Sequence, residues 1–243
     1  MLSHSFSCYV IIRVVFLHNS DYYFIDLKGL VWMNISDDFL KDLIKPRSAI
    51  FLEMEQYAKD NHVPIMQLMG MESLLQLLSL QKPKSILELG TAIGYSSMRM
   101  AAKLEQASIV TIERDEAKAE LAKDYMERAD LQHRIQVIIG DALEISAIDL
   151  EGSKFDAIFI DAAKGQYKNF FEKYAPFLND GGVIYCDNLL LNGLSELPMS
   201  EVPRRKRTMV RNQHQFMEWL MNHPDYDTAF LPVGDGMLVS IKR

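Results

Sequence analysis

Ser85-Ile86-Leu87-Glu88-Leu89-Gly90-Thr91-Ala92-Ile93-Gly94-Tyr95-Ser96 is the stretch on which the fold turns. An apolar run of strand length, 85–89, gives way to two glycines and then to a helical pattern over 94–104. Gly90 and Gly94 bracket the turn. Without side chains there, a ligand can approach the backbone, and the N–H groups opening the helix can receive an anion. The spacing is E-x-G-x-x-x-G, not the G-x-G-x-x-G of dinucleotide-binding turns, and read alone it fits any tight strand-to-helix turn.

Working outward, strand-like runs at 109–112, 135–139, 155–160 and 182–186 alternate with helix-like runs at 115–130, 166–178 and 208–222. Such alternation predicts a parallel sheet covered on both faces by helices. The last two strand-like runs, 226–233 and 237–242, flank Gly234-Asp235-Gly236 and predict an antiparallel hairpin at the sheet's end. Upstream, helices are expected over 36–45 with Ser36 as cap, over 47–61, and over 65–81 with Leu68, Met71, Leu74, Leu75 and Leu78 on one stripe. The sum is an α/β, Rossmann-like chain: seven strands, mostly parallel, with N-terminal helices.

In these sheets ligands bind outside the carboxyl ends of the strands. Those ends carry Glu88 and Gly90, Glu113, Gly140-Asp141-Ala142, Asp161, and Asp187-Asn188. Glu113, at the second strand's end, suits two ribose hydroxyls. Asp141 beside the small Ala142 suits an adenine amino group and ring. The glycine turn and these two acids point to an adenosine-bearing cofactor. NAD(P) competes, but the glycine spacing and the want of hydride-transfer residues stand against it. Asp161, Asp187 and Asn188 add two carboxylates and an amide oxygen, a hard oxygen set suited to Mg²⁺, Mn²⁺ or Ca²⁺. Lys164, three residues after Asp161, would have its pKa lowered beside a cation and so suits a general base. Each of these residues alone would read as a capping acid, a turn amide or a solvated lysine.

The runs I-L-E-L-G-T-A-I-G-Y-S, I-E-R at 112–114, G-D-A at 140–142, F-I-D-A-A-K at 159–164 and Y-C-D-N at 185–188 resemble the cation-dependent class I O-methyltransferases of the catechol and caffeoyl-CoA type. The resemblance spans roughly residues 34–243 and implies S-adenosylmethionine (SAM) as cofactor. It implies Asp161, Asp187 and Asn188 as metal ligands, with Asp161 also facing the cofactor, and Lys164 as base. It places Ser96 on the methionine carboxylate and Met66 along the methionine end, with Glu88, Gly90 and Gly94 framing the turn. It puts Glu113 on the ribose, and Asp141 with Ala142 on the adenine.

Arg204, Arg205, Lys206, Arg207 and Arg211 place five positive charges in eight residues. They follow the loop 189–203 that leaves the Asp187-Asn188 strand end, and they open a helix, where cations are disfavoured. A patch there would hold phosphates. P-R-R-K-R-T-M-V-R resembles the bacterial tRNA 5-hydroxyuridine methyltransferases, which implies transfer to an anticodon-loop base to give 5-methoxyuridine. O4 and the 5-hydroxyl are adjacent oxygens, like those of a catechol, and a loop base is exposed enough to be stacked and read. Tyr167, Phe170 and Tyr185 are candidates for stacking, though core packing suits them as well. The alternatives are a small catechol or caffeoyl-CoA type acceptor, and a non-catalytic SAM-binding regulatory module, against which the chelating set argues.

With 49% hydrophobic and 24% charged residues, the 243-residue chain has ordinary globular composition. A net charge of −7 excludes a general polyanion-binding surface, so nucleic acid must meet a local patch. Two distant cysteines, Cys8 and Cys186, make no disulfide framework and suit a reducing, cytoplasmic setting. The histidines lack zinc-ligand spacing. Residues 1–32 have a different texture. Tyr9 to Leu17 is apolar but for Arg13, too short to span a bilayer and without a signal peptide's basic start. This segment reads as an extension, as a peripheral contact, or as translation from a start upstream of a true one at Met33. A homodimer is expected from the resemblance, with the apolar face of 47–61 as either its interface or core.

Overall fold

The computed structural model describes residues 15–16, 22–25, 31–32, 37–145, 150, 153–162 and 165–243. It divides into two compact units, Met1–Pro46 and Arg47–Arg243. In the first, β1 (Val15–Phe16), β2 (Tyr22–Ile25) and β3 (Val31–Trp32) form an antiparallel sheet in that order. Val15 pairs with Tyr23 and Phe24 with Trp32. Helix α1 covers Asp37–Asp42. Its expected cap, Ser36, and the Met33 start lie outside the described residues.

The second unit opens with α2 (Ala49–Asp60) and α3 (Leu68–Gln81). Helix α3 buries Met71, Leu74, Leu75 and Leu78, and it stops at Lys82, which takes a left-handed φ of 56° immediately before Pro83. Strand β4 (Ser85–Leu89) leads through the glycine turn into α4 (Tyr95–Lys103). Then come β5 (Ser108–Glu113), α5 (Glu116–Arg128), β6 (Ile135–Ile139), β7 (Phe155–Ile160), α6 (Tyr167–Tyr174), β8 (Leu178–Cys186), α7 (Arg207–Met221), β9 (Tyr226–Leu231) and β10 (Met237–Lys242). Asp115 caps α5 by accepting the Lys118 N–H at 3.2 Å.

The seven strands stand in the order β6-β5-β4-β7-β8-β10-β9. The first five are parallel, and β10 runs antiparallel to both β8 and β9, the hairpin expected from Gly234-Asp235-Gly236. Side chains alternate between faces, as the pleat requires. Ile86, Phe159 and Tyr185 join the core beneath α2–α5, while Leu87, Ile158, Ile160, Ile184 and Cys186 join the core beneath α6 and α7. Phe51, Met54 and Ala58 of α2 are buried in the first core. That part of the helix's apolar stripe is therefore core, while Leu52 of the same helix stays exposed. Strand β8 begins four residues earlier than its apolar run, because the polar Asn179–Gly182 stretch still continues the strand.

Beyond β4 the chain steps outward through β5 to β6, then returns to place β7 on β4's other side. The reversal opens a crevice at the carboxyl ends of β4 and β7. Main-chain bonds extend the ladders to its rim. Gly90 N donates to Ile112 O at 3.0 Å, Asp161 N to Leu89 O at 3.0 Å, Asp187 N to Ile160 O at 3.2 Å, and Gly140 N to Glu113 O at 2.8 Å. The strand-end residues picked out from the sequence thus share one edge.

Candidate active site

A cavity of about 440 Å³ lies at this edge, a size suited to a small cofactor. Its walls include Gly90, Glu113, Asp141, Ala142, Asp161 and Asn188, six of the residues expected from the sequence. Gly90 holds φ 102°, and a Cβ there would lie 2.1 Å from the Asp161 carbonyl oxygen. Only glycine lets strand β7 approach this closely. Gly94, at φ 85°, starts α4 from behind the wall, packed against Ala122 and Met126.

Glu113 accepts the Ala92 N–H at 2.8 Å and the Asp115 N–H at 2.9 Å, one on each carboxylate oxygen. Each oxygen keeps a second lone-pair direction, so the acid is fixed in place and still able to accept from a ligand. Asp141 accepts the Leu143 N–H at 2.8 Å. Pro64, Ile65, Arg114 and Phe170 also line the cavity. Pro64 and Ile65 come from the segment before α3, whose arrival over the sheet edge no local pattern announces. Tyr167 and Tyr185 are buried in the core, as their packing alternative required. Met66 is buried against Gly70 rather than on the cavity wall, its expected place.

Glu88 is wholly buried beneath the turn. Ser96 Oγ donates to it, and Thr111 Oγ1 donates at 2.5 Å. The Thr111 proton is thereby used, so Thr91 donates in the 2.6 Å contact between the two threonines. Burial pushes the Glu88 carboxyl up to about 7, against the pull of these hydroxyl donors. The single hydroxyl proton of Ser96 is committed to Glu88, so an anion at the opening of α4 would meet backbone N–H groups instead. A carboxyl with a raised folded pKa contributes stability that is present below its ordinary value and lost as pH rises through about 7. Glu88→Gln should therefore lose less melting temperature than the wild type between pH 5 and pH 8. Thermal denaturation at both values checks this, and a wild-type-to-variant difference that does not change with pH would refute it.

Asp161, Asp187 and Asn188 converge. Asn188 Nδ2 donates to Asp161 Oδ1 at 2.5 Å and lies 3.4 Å from Asp187 Oδ2. Asn188 takes a left-handed φ of 62° and Asp187 is 2% exposed. One amide thus bridges two carboxylates, and a half-turn about its Cβ–Cγ–amide axis would present oxygen to the same point. With the amide turned in this way the donor set is all hard oxygen and fits Mg²⁺ or Mn²⁺. Among the described residues no cluster of three or more His, Cys, Asp or Glu is arranged for a metal. Lys164 lies outside the described residues.

Of the basic run, Arg204, Arg205 and Lys206 form a 3₁₀ turn ahead of α7, and with Arg211 they are exposed and in no ion pair among the described residues. Arg207 differs from its expected role. Its Nε donates to Val202 O at 2.9 Å and its Nη2 to Ser200 O at 3.0 Å, so it ties down the preceding loop. A second network escaped sequence reading. Arg47 pairs with Glu55, Glu55 accepts from the Tyr95 hydroxyl at 2.6 Å, and Arg99 donates to Tyr95 and to Glu72. It ties α2 and α3 to the start of α4.

The O-methyltransferase family model matches residues 44–243. The chain belongs to this O-methyltransferase family. Its type is that of the catechol and caffeoyl-CoA enzymes, and it is SAM-dependent. A caffeoyl-CoA O-methyltransferase of Stellaria longipes is 30% identical over 202 residues, covering 79% of this chain and 83% of its own. Among solved structures, a candidate caffeoyl-CoA O-methyltransferase from Staphylococcus aureus is 37% identical with a TM-score of 0.79, covering 85% of this chain and 98% of its own. An O-methyltransferase from Bacillus cereus, in complex with SAH (S-adenosylhomocysteine), is 28% identical with a TM-score of 0.72, covering 85% and 96%. Among the described residues of this methyltransferase, no helix is long and apolar enough to cross a membrane.

Proposed function

We propose that this methyltransferase transfers the methyl group of SAM to the 5-hydroxyl of 5-hydroxyuridine at the wobble position of tRNA, with a divalent cation held by Asp161, Asp187 and Asn188. The observation that carries the acceptor class is the solvent-facing group Arg204, Arg205, Lys206 and Arg211, on the segment that follows the Asp187-Asn188 loop. Four exposed cations close together on a chain of net charge −7 suit a polyphosphate partner.

In this reading Glu113 receives the ribose hydroxyls, Asp141 and Ala142 face the adenine, and the N–H groups opening α4 receive the methionine carboxylate. A bound cation would supply chelation of the two neighbouring acceptor oxygens and a lower hydroxyl pKa. Lys164, three residues beyond Asp161, would take the proton. The residues around the crevice orient the acceptor oxygen in line with the methyl group, which supplies much of the rate.

A second reading has its own support. The named relatives include caffeoyl-CoA O-methyltransferases, and a coenzyme A thioester also carries phosphates for a basic patch. Transfer from labelled SAM should be compared on tRNA from a strain lacking this protein, on caffeoyl-CoA and on free catechol. Turnover on tRNA is expected; turnover on caffeoyl-CoA with none on tRNA would replace the first reading by the second. On tRNA, replacing Arg204, Arg205 and Lys206 together by Ala should weaken binding and flatten the log Kd against log salt slope by about 2, at roughly 0.7 for each phosphate no longer neutralised. An unchanged slope would remove this patch from the interface.

A further inference from the structure

Asp187 and Asn188 open a loop with an unusual backbone. Asn188, Leu191 and Asn192 hold φ of 62°, 55° and 54°, and Gly193 follows at 81°. Three side-chain-bearing residues in the left-handed region within five positions do not persist unless their surroundings hold them there. Two anchors do so. Leu191 is buried with Val202 and Val210. The other anchor is the β9–β10 turn. Asp235 Oδ1 accepts the Asn192 N–H at 2.6 Å, Asp235 O accepts the Leu190 N–H at 2.7 Å, and Gly236 O accepts the Leu189 N–H at 3.2 Å. The turn is itself fixed from behind. Gly234 lies against Gly70 of α3, where a Cβ on Gly234 would come within 3.1 Å of the Gly70 Cα, and Gly70 also borders Asp187 Oδ1. Asp235 is 4% exposed and does not line the cavity.

We propose that Asp235 is a positioning residue for the acceptor edge: as a hydrogen-bond acceptor it latches the left-handed loop 188–193, and so sets Asp187 and Asn188 for a divalent cation. The inference rests on the cation reading given above, and it assigns Asp235 a role through the loop rather than contact with the reacting atoms. What matters is an acceptor oxygen at this place, not the charge. Asparagine offers the same oxygen and alanine offers none.

Mn²⁺ binding to the full chain, measured by calorimetry with SAH present, tests it. Asp235→Ala should weaken Mn²⁺ at least tenfold and leave SAH affinity within about twofold, while Asp235→Asn keeps Mn²⁺ within about threefold. Amide exchange supplies an independent reading. The Asn192 amide, whose acceptor is the Asp235 side chain, should exchange at least tenfold faster in Asp235→Ala and at the wild-type rate in Asp235→Asn. A folded Asp235→Ala that binds Mn²⁺ like the wild type overturns the proposal, as does loss of Mn²⁺ and SAH together. If Asp235→Ala does not fold, Asp235→Asn decides: retained Mn²⁺ affinity supports the latch, and its loss with SAH binding intact overturns it. A wild type that binds no Mn²⁺ sinks the cation reading instead. The latch is then judged on exchange alone, where an unchanged Asn192 amide in Asp235→Ala, or an accelerated one in Asp235→Asn, overturns it.

Discussion

Asp161→Ala should lower methyl transfer by at least about 10²–10³-fold, the loss typical when one group stabilising developing charge is removed. Asp161 stands on the cavity wall and also receives the Asn188 amide at 2.5 Å. Its removal takes a carboxylate from the oxygen set and leaves Asn188 without that partner. The backbone of residue 161 would stay in place, because its N–H is bonded to Leu89 O. SAM affinity should consequently change far less than turnover. Steady-state release of SAH on the active acceptor, set beside calorimetric SAM binding, separates the two. A variant that turns over normally, or that loses SAM binding as steeply as turnover, would remove Asp161 from the chemistry. Asp161→Asn, which keeps the shape and one oxygen, should fall between wild type and Ala.

Gly90→Ala should be the most damaging change to the fold at this edge. The added Cβ meets the Asp161 carbonyl oxygen at 2.1 Å and the adjoining carbonyl carbon at 2.9 Å, both backbone atoms that cannot swing aside. The φ of 102° adds conformational strain for any residue with a side chain. Strain on the order of 1–2 kcal/mol and overpacking of about 1–3 kcal/mol add to roughly 2–5 kcal/mol. At about 2–4 °C per kcal/mol for a domain of this size, the melting temperature should fall by roughly 4–20 °C. SAM binding should fall with it, since the turn frames the cavity. Gly193→Ala is the contrast. It too has positive φ, but nothing lies within 4 Å of its Cβ, so its loss should be confined to the strain component. Equal losses at the two positions, read by thermal denaturation, would refute the steric account of Gly90.

Much of the fold was open to reading because the alternation of apolar runs carries it. Strands 85–89, 135–139 and 155–160 match their apolar runs residue for residue, and the Gly-Asp-Gly turn marks the hairpin. Half of the site was legible for the same reason: a parallel sheet delivers its strand ends to one edge, so Glu113, Asp141, Asp161 and Asn188 had to meet. What stayed hidden depends on partners far away in sequence. Nothing near Asp235 says that it will catch Asn192, and nothing in the basic run says that Arg207 will turn back to Ser200 and Val202 while its neighbours face solvent. The acid Glu88 looked like part of the ligand's wall. Only the meeting of Ser96 and Thr111 beneath the turn makes it a buried support.

The most direct measurement is methyl transfer from labelled SAM to the active acceptor after exhaustive chelation with EDTA, followed by addition of Mg²⁺ or Mn²⁺. Cation-assisted O-methylation by Asp161, Asp187 and Asn188 predicts background transfer in chelator and recovery on adding the ion. Undiminished transfer in EDTA would contradict it.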